Sequence, residues 1–214
     1  MSKVRTEFDF SNQLDHNLTF RLRELSDLRR AIADAGELER TVLLKALVTL
    51  SYAHWEGFIK YSAEKYFEYV ALRKYPFNKL HPSFYSNAFL LRLGAFSLSK
   101  PSIEERLKLV GEILNSQNNR FSYLPDELVN TGSNLNSNVM KNICLICDIP
   151  FKPFEERSTF IDVILLKRRN SIAHGEDALV GLGEVKDIID NATELMRTFK
   201  NELENKIYLK NYLA

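Results

Sequence analysis

Ten consecutive residues, Lys167-Arg168-Arg169-Asn170-Ser171-Ile172-Ala173-His174-Gly175-Glu176, bring together three cations, a carboxamide, a hydroxyl and an imidazole. The apolar run Phe160 to Leu166 precedes them, so the polar cluster is expected in the last turns of a helix that Gly175 terminates. An imidazole at a helix C-terminus is favoured in its protonated form by ~0.3–1 kcal/mol, because the carbonyl ends of the peptide dipoles face it. His174 in that place has the makings of a general acid near neutral pH. Asn170 lies one turn earlier, about 40° away on the helix surface, and is its neighbour. Arg169 is five residues from His174 and therefore about 140° away, on another face.

One helix end therefore does not readily aim both groups at one phosphate, unless it frays at Gly175 or Arg169 reaches round to rescue a one-chain site. Two copies around a two-fold axis could do so, each supplying part of a shared site, and they would gather six positive charges in one groove. The plainer reading of the same residues is a basic helix terminus in which His174 serves only as a cap.

Other chemistry-bearing patterns read as structure. Cys144 and Cys147 have the spacing of half a zinc site, but no second cysteine pair exists and the four histidines, His16, His54, His81 and His174, lack ligand spacing. The two thiols sit mid-helix among Ile143, Leu145 and Ile146, where thiolates are not stabilised, so they are expected to be buried core. Trp55, Phe58, Tyr61, Tyr66, Phe67 and Tyr69 recur at helical spacing and read as core rather than as a base-stacking platform. Glu56, in the same helix, is either a partner for the arginines or a surface residue. Asn134 and Asn136 are expected to cap a helix. Arg21, Arg23, Arg29 and Arg30 alternate with Glu24 and Asp27 as a solvated face. No Gly-rich phosphate loop and no Gly-x-Ser-x-Gly elbow occurs.

The elements that must position the cluster follow from apolar spacing. All six prolines lie between Pro76 and Pro153, which leaves both ends of the chain free for long helices. Leu14, Leu18, Leu22, Leu25 and Leu28 predict a first helix capped by Ser11 or Asn12 and closed near Gly36. A second runs from Leu38 to about Leu72; it is apolar nearly all round in its first half and should be the central one. Gly57 within it costs about 1 kcal/mol against Ala unless close packing needs a small residue. Residues 73–101 read as irregular, with a short helix over 83–92. Ser102 and Glu105 form a capping box for a helix through Leu114. Residues 115–136, with Pro125 and Gly132, read as a loop. Helices from Asn138 to Asp148, Glu155 to about His174, and Glu184 to about Tyr208 complete the chain. The expectation is a single all-α domain over 1–214, an up-and-down bundle of four long helices with short inserted ones.

At 214 residues and 45% hydrophobic, the chain is long and apolar enough to bury a core without disulfides or metal. A net charge of +1 supplies no global basic field, so any nucleic-acid chemistry must come from a local patch. Two cysteines make no disulfide framework, and neither a signal-peptide core nor a membrane-spanning run is present; the expected compartment is the cytoplasm.

Three segments together resemble the HEPN superfamily, in its stand-alone RiboL-PSP-like (MAE-type) group. These are Ala53-His54-Trp55-Glu56-Gly57-Phe58-Ile59-Lys60, Ser133-Asn134-Leu135-Asn136 and Arg169-Asn170-Ser171-Ile172-Ala173-His174-Gly175-Glu176. The last matches the Arg-x4–6-His signature of that superfamily, at the end of a penultimate helix, and the resemblance spans roughly residues 15–205. It implies an all-α bundle that cleaves RNA at a dimer cleft without metal or cofactor, often as the toxin or effector of a toxin–antitoxin or phage-defence system. The ribose 2′-OH would attack the adjacent phosphorus and leave a 2′,3′-cyclic phosphate. Arg169 would stabilise charge on the non-bridging oxygens, His174 would move a proton, and Asn170 would orient either the imidazole or the phosphate. Lys167 and Arg168 would hold the RNA backbone, with Glu56, Ser171 and Glu176 as possible supports. Partners so implied are RNA, a second copy and an antitoxin or neighbouring-gene protein. The alternative is a non-catalytic interaction or RNA-binding module that regulates a separately encoded partner.

Overall fold

In the computed structural model of the chain, residues 3–122, 126–176 and 179–214 are described. Pro125, in the expected loop, lies outside them. The first helix starts earlier than the Ser11/Asn12 expectation: Thr6 caps α1 (Glu7–Asp34) by accepting from the Asp9 backbone N–H at 3.0 Å, and Asp9 Oδ2 accepts from the Thr6 N–H at 2.9 Å. A capping box with Asp in the third position satisfies two otherwise orphaned donors before the leucine stripe begins.

Gly36 caps the next element rather than closing α1, and α2 (Glu37–Ala71) follows at once. It is the central helix, packed against α1, against α8 (Val185–Tyr208) and against the helix that carries the polar cluster. Trp55, Phe58, Tyr66, Phe67 and Tyr69 are buried, as core residues of this spacing should be, whereas Tyr61 is only half-buried against the core. Met140, Cys144 and Cys147 of α5 (Ser137–Cys147) join the same core. Burial pushes the Cys144 thiol up to about 12 and also raises the Cys147 thiol well above its ordinary value, so neither is a thiolate at neutral pH.

The middle of the chain is more helical than its prolines suggest. Pro82 occupies the first turn of α3 (Pro82–Leu98), where its missing N–H costs nothing, and the helix runs past the expected 83–92. Ser102 and Glu105 form their capping box at the head of α4 (Ile103–Asn115). A short α6 (Lys152–Glu155) follows α5. Among the described residues there is no β-strand, only isolated bridges, and no helix is long and apolar enough to cross a membrane. The fold is an all-α helical bundle.

The solvated-face reading of Arg21 is overturned. Its Nε donates to Asn17 Oδ1 at 2.9 Å, and its Nη1 meets the His54 carbonyl at 3.2 Å and His54 Nδ1 at 3.3 Å. A guanidinium only donates, so Nδ1 accepts and the proton sits on Nε2, which faces Glu24 Oε2 at 3.0 Å. Gly57 makes room for this: a Cβ there would lie 3.0 Å from the guanidinium. Arg23, Arg29 and Arg30 are exposed as expected.

Candidate functional site

The helix predicted over Glu155 to His174 starts only after Arg157, since Glu155 ends α6 and a turn follows it, and it is not one α-helix. Phe160–Lys167 is π-helical, and α7 (Arg168–Ala173) continues it. Bonding from i to i+5 widens the turn and rotates every later residue relative to an α-helical continuation, and such segments recur at functional sites. The π segment ends where the polar cluster starts. Ile161 and Leu165 anchor it in the core, and Asp162 reaches sideways to accept from the Ser137 N–H at 2.7 Å and the Ser137 hydroxyl at 2.6 Å.

The far end of α7 closes as the sequence predicts. Gly175 takes the left-handed conformation (φ +76°), its N–H donates to the Ile172 carbonyl at 3.1 Å, and the Glu176 N–H donates to the Ser171 carbonyl at 2.9 Å. These are the two hydrogen bonds of a Schellman motif. His174 is the capping residue of this terminus and its side chain is exposed. Glu176 is exposed beside it.

Arg169 points the other way, in keeping with the 140° separation. Its guanidinium lies 4.1 Å from the centroid of the Tyr52 ring, and its Nη2 donates to the Ser133 carbonyl. Arg169 Nε is buried without an acceptor. Asn170 Nδ2 reaches Asn134 Oδ1 at 3.4 Å, a long and weak bond. The loop that receives both is itself fixed from below. Gly132 and Ser133 adopt positive φ of +57° and +56°, and the Leu135 N–H donates to the buried Tyr52 hydroxyl at 2.6 Å. Asn136 caps α5 through the Val139 N–H at 2.8 Å. Burial raises the Tyr52 hydroxyl above its ordinary pKa, against the opposing pull of the Leu135 N–H and Arg169. It stays a neutral phenol at physiological pH.

The Ser133–Asn136 segment and the Arg169–Asn170 pair, separate in sequence, are therefore one constellation. Tyr52 of α2 is its hub, one side chain that seats the arginine and ties down the loop. Sequence reasoning passed over Tyr52; its only signal was its place one turn before Glu56 on the same face of α2. Glu56 is half-buried with Oε1 unpartnered, and it forms no ion pair with Arg169. Arg168 turns to Glu184, Nη1 to Oε1 at 2.8 Å, and Glu184 also accepts from the Gly181 N–H at 2.8 Å. That pairing, with the Gly181 bond ahead of it, holds the Glu184 carboxyl below its usual range and secures the entry to α8. Lys167 is exposed and Ser171 half-buried.

Residues 16–205 match the family model of RiboL-PSP-HEPN. Comparison with curated proteins and with solved structures finds no match. The three sequence segments that carried the resemblance lie inside the matched span, and two of them meet at Arg169. The chain belongs to the RiboL-PSP-HEPN family and is a HEPN-type nuclease or RNA-related module.

Proposed function

We propose that this chain is a metal-independent endoribonuclease that acts as a homodimer, with Arg169, Asn170 and His174 as its catalytic residues. The observation that carries the reading is the seating of Arg169. Tyr52 and the Ser133 carbonyl fix its guanidinium at the helix end while engaging only part of its five donors. A phosphate oxygen gaining charge beside it meets an oriented donor that needs no reorganisation. His174, exposed on another face of the same helix end, reaches a linkage held by the partner subunit's arginine rather than by its own. In that arrangement the 2′-OH attacks phosphorus, its proton is taken up and the 5′-oxygen receives one. The imidazole serves one of these transfers, and the product keeps a 2′,3′-cyclic phosphate. Lys167 is free to contact the RNA backbone, whereas Arg168 is engaged with Glu184. The cellular role that fits is a toxin or effector of a toxin–antitoxin or phage-defence system in the cytoplasm, restrained by a neighbouring-gene protein.

A second reading has its own support. Arg169 spends Nη2 on a backbone carbonyl and buries Nε, which is also how a purely structural arginine behaves. On that reading the fold is a non-catalytic module that binds RNA or a partner. The two separate cleanly. His174→Ala and Arg169→Ala should each abolish RNA cleavage and the growth arrest caused by expression, with helical circular dichroism unchanged. A DNA oligonucleotide of the same sequence should resist cleavage, since it lacks the 2′-OH. Activity should survive EDTA. Cleavage that persists in both variants, or never occurs in pure protein, gives the second reading the field.

A further inference from the structure

Helix α4 is amphipathic with its apolar face turned outward. Leu109 is buried, and the Tyr85 hydroxyl and Arg92 of α3 hold the helix through the Ile113 carbonyl and Glu112. About 120° round from Leu109 runs a second stripe, Ile103, Leu107, Val110 and Leu114, confined to an arc of about 60°. These four side chains are 76%, 67%, 51% and 68% exposed, and Leu98, at the end of α3, is 86% exposed. The spacing of 4, 3 and 4 residues is the alternation of a coiled-coil seam over two heptads, narrower than the face a helix buries in a globular core.

We propose that α4 pairs antiparallel with α4 of a second copy of this chain, about a two-fold axis passing between positions 108 and 109. The stripe is self-complementary in that register. Ile103 faces Leu114 of the partner subunit, Leu107 faces Val110 of the partner subunit, and no seam position meets a polar residue. Gly111 flanks the seam inside the helix, where the missing side chain leaves room for a second helix to approach closely. With roughly 60–120 Å² of apolar area per fully exposed aliphatic side chain, the five residues present about 200–400 Å². A standard interface contributes about 800 Å² per partner, a little over half of it apolar. The stripe supplies from about half to nearly all of that apolar share. Other occupants fit less well: the polar faces of α4 carry Glu104, Glu105 and Glu112 against Arg106 and Lys108, a near-balanced set with no basic patch to hold RNA or an anionic membrane surface.

Disulfide trapping tests the register. Ile103→Cys and Leu114→Cys chains carrying different tags, mixed under mild oxidation, should form the 103–114 heterodimer far faster than either forms a homodimer. Antiparallel pairing sets like positions about 16 Å apart along the axis. Cys144 and Cys147 are buried and do not compete. In parallel, Leu107→Glu with Val110→Glu should lower the mass seen by light scattering by one association step, with circular dichroism unchanged. Equal trapping at 103–103, no trapping at all, or a mass unaltered by the glutamates overturns the proposal, including the case in which another protein covers this face. The contact is separate from the shared site at α7, so His174→Ala should leave the trapping intact.

Discussion

Replacing Tyr52 with phenylalanine isolates the job of a single oxygen. The ring stays, so the guanidinium of Arg169 keeps the aromatic face 4.1 Å away. The hydroxyl goes, and with it the acceptor for the Leu135 N–H, a 2.6 Å bond inside the protein. Leu135 is completely buried, so its N–H finds no water in exchange. An orphaned buried donor costs about 1–3 kcal/mol. In a chain of this size each kcal/mol lowers Tm by roughly 2–4 °C, which predicts a fall of about 2–12 °C. The larger consequence is local. Leu135 adjoins the Ser133 carbonyl and Asn134, which hold Arg169 and Asn170. A displacement of about 1 Å at a reacting group costs on the order of 100-fold in rate. The expected result is a 10- to 100-fold loss of RNA cleavage, measured well below the variant's Tm, with little change in RNA affinity in a filter-binding assay. A variant that loses stability but cleaves at the wild-type rate refutes the claim that the loop positions the arginine. One that loses neither refutes the hydrogen bond itself.

Tyr66 makes the opposite case: its hydroxyl is buried without a partner, so Tyr66→Phe should raise stability by about 1 kcal/mol in urea unfolding, where Tyr52→Phe lowers it. His54 should impose a pH dependence. Burial first, and Arg21 second, hold its pKa below the ordinary histidine range, so the neutral form is favoured by folding. That stability is complete above an unfolded pKa of about 6.5 and is lost as pH falls through the depressed folded value, at up to about 1.4 kcal/mol per pH unit. His54→Gln should flatten the decline between pH 7 and pH 5. Gly57→Ala should yield none of the ~1 kcal/mol expected from helix propensity, because the added Cβ presses on a guanidinium held by three acceptors. Gly94→Ala, which meets nothing within 4 Å, should gain it, and equal gains at both sites would contradict the Arg21 account.

Long-range order along the chain was legible because it rests on periodicity. Apolar residues every three or four positions announced α1, α2 and α8, and Gly175 announced the end of α7. What stayed hidden was whatever depends on a second segment. The leucine stripe of α1 marks a helix but not that Arg21, among other arginines, meets His54 on α2. Nothing in Phe160 to Lys167 distinguishes a π-helix from an α-helix, since both bury the same apolar residues and differ in where the next ones point. Tyr52 looks like any core aromatic until the loop it holds is placed over it. Of the candidate site, the residue types at 169, 170 and 174 could be read from the sequence; the support of Arg169 and the diversion of Arg168 to Glu184 could not.

That support has a consequence for how the site divides its labour. Arg169 is braced on two sides, by an aromatic face and a backbone carbonyl, whereas His174 stands at a helix terminus with no side-chain partner among the described residues. A group that stabilises charge gains from rigidity, because its donors must already point at the oxygen that becomes negative. A group that moves a proton needs only to come within reach of the reacting oxygen and to titrate near the working pH. The two halves of the proposed chemistry therefore answer to different perturbations. Loosening the brace, through Tyr52 or the loop, should depress the maximal rate at every pH and leave the shape of the pH–rate profile alone. Exchanging the imidazole itself, as in His174→Gln, should instead abolish cleavage at every pH. A Tyr52 variant that moved the profile instead would mean that the imidazole, not the guanidinium, depends on the loop.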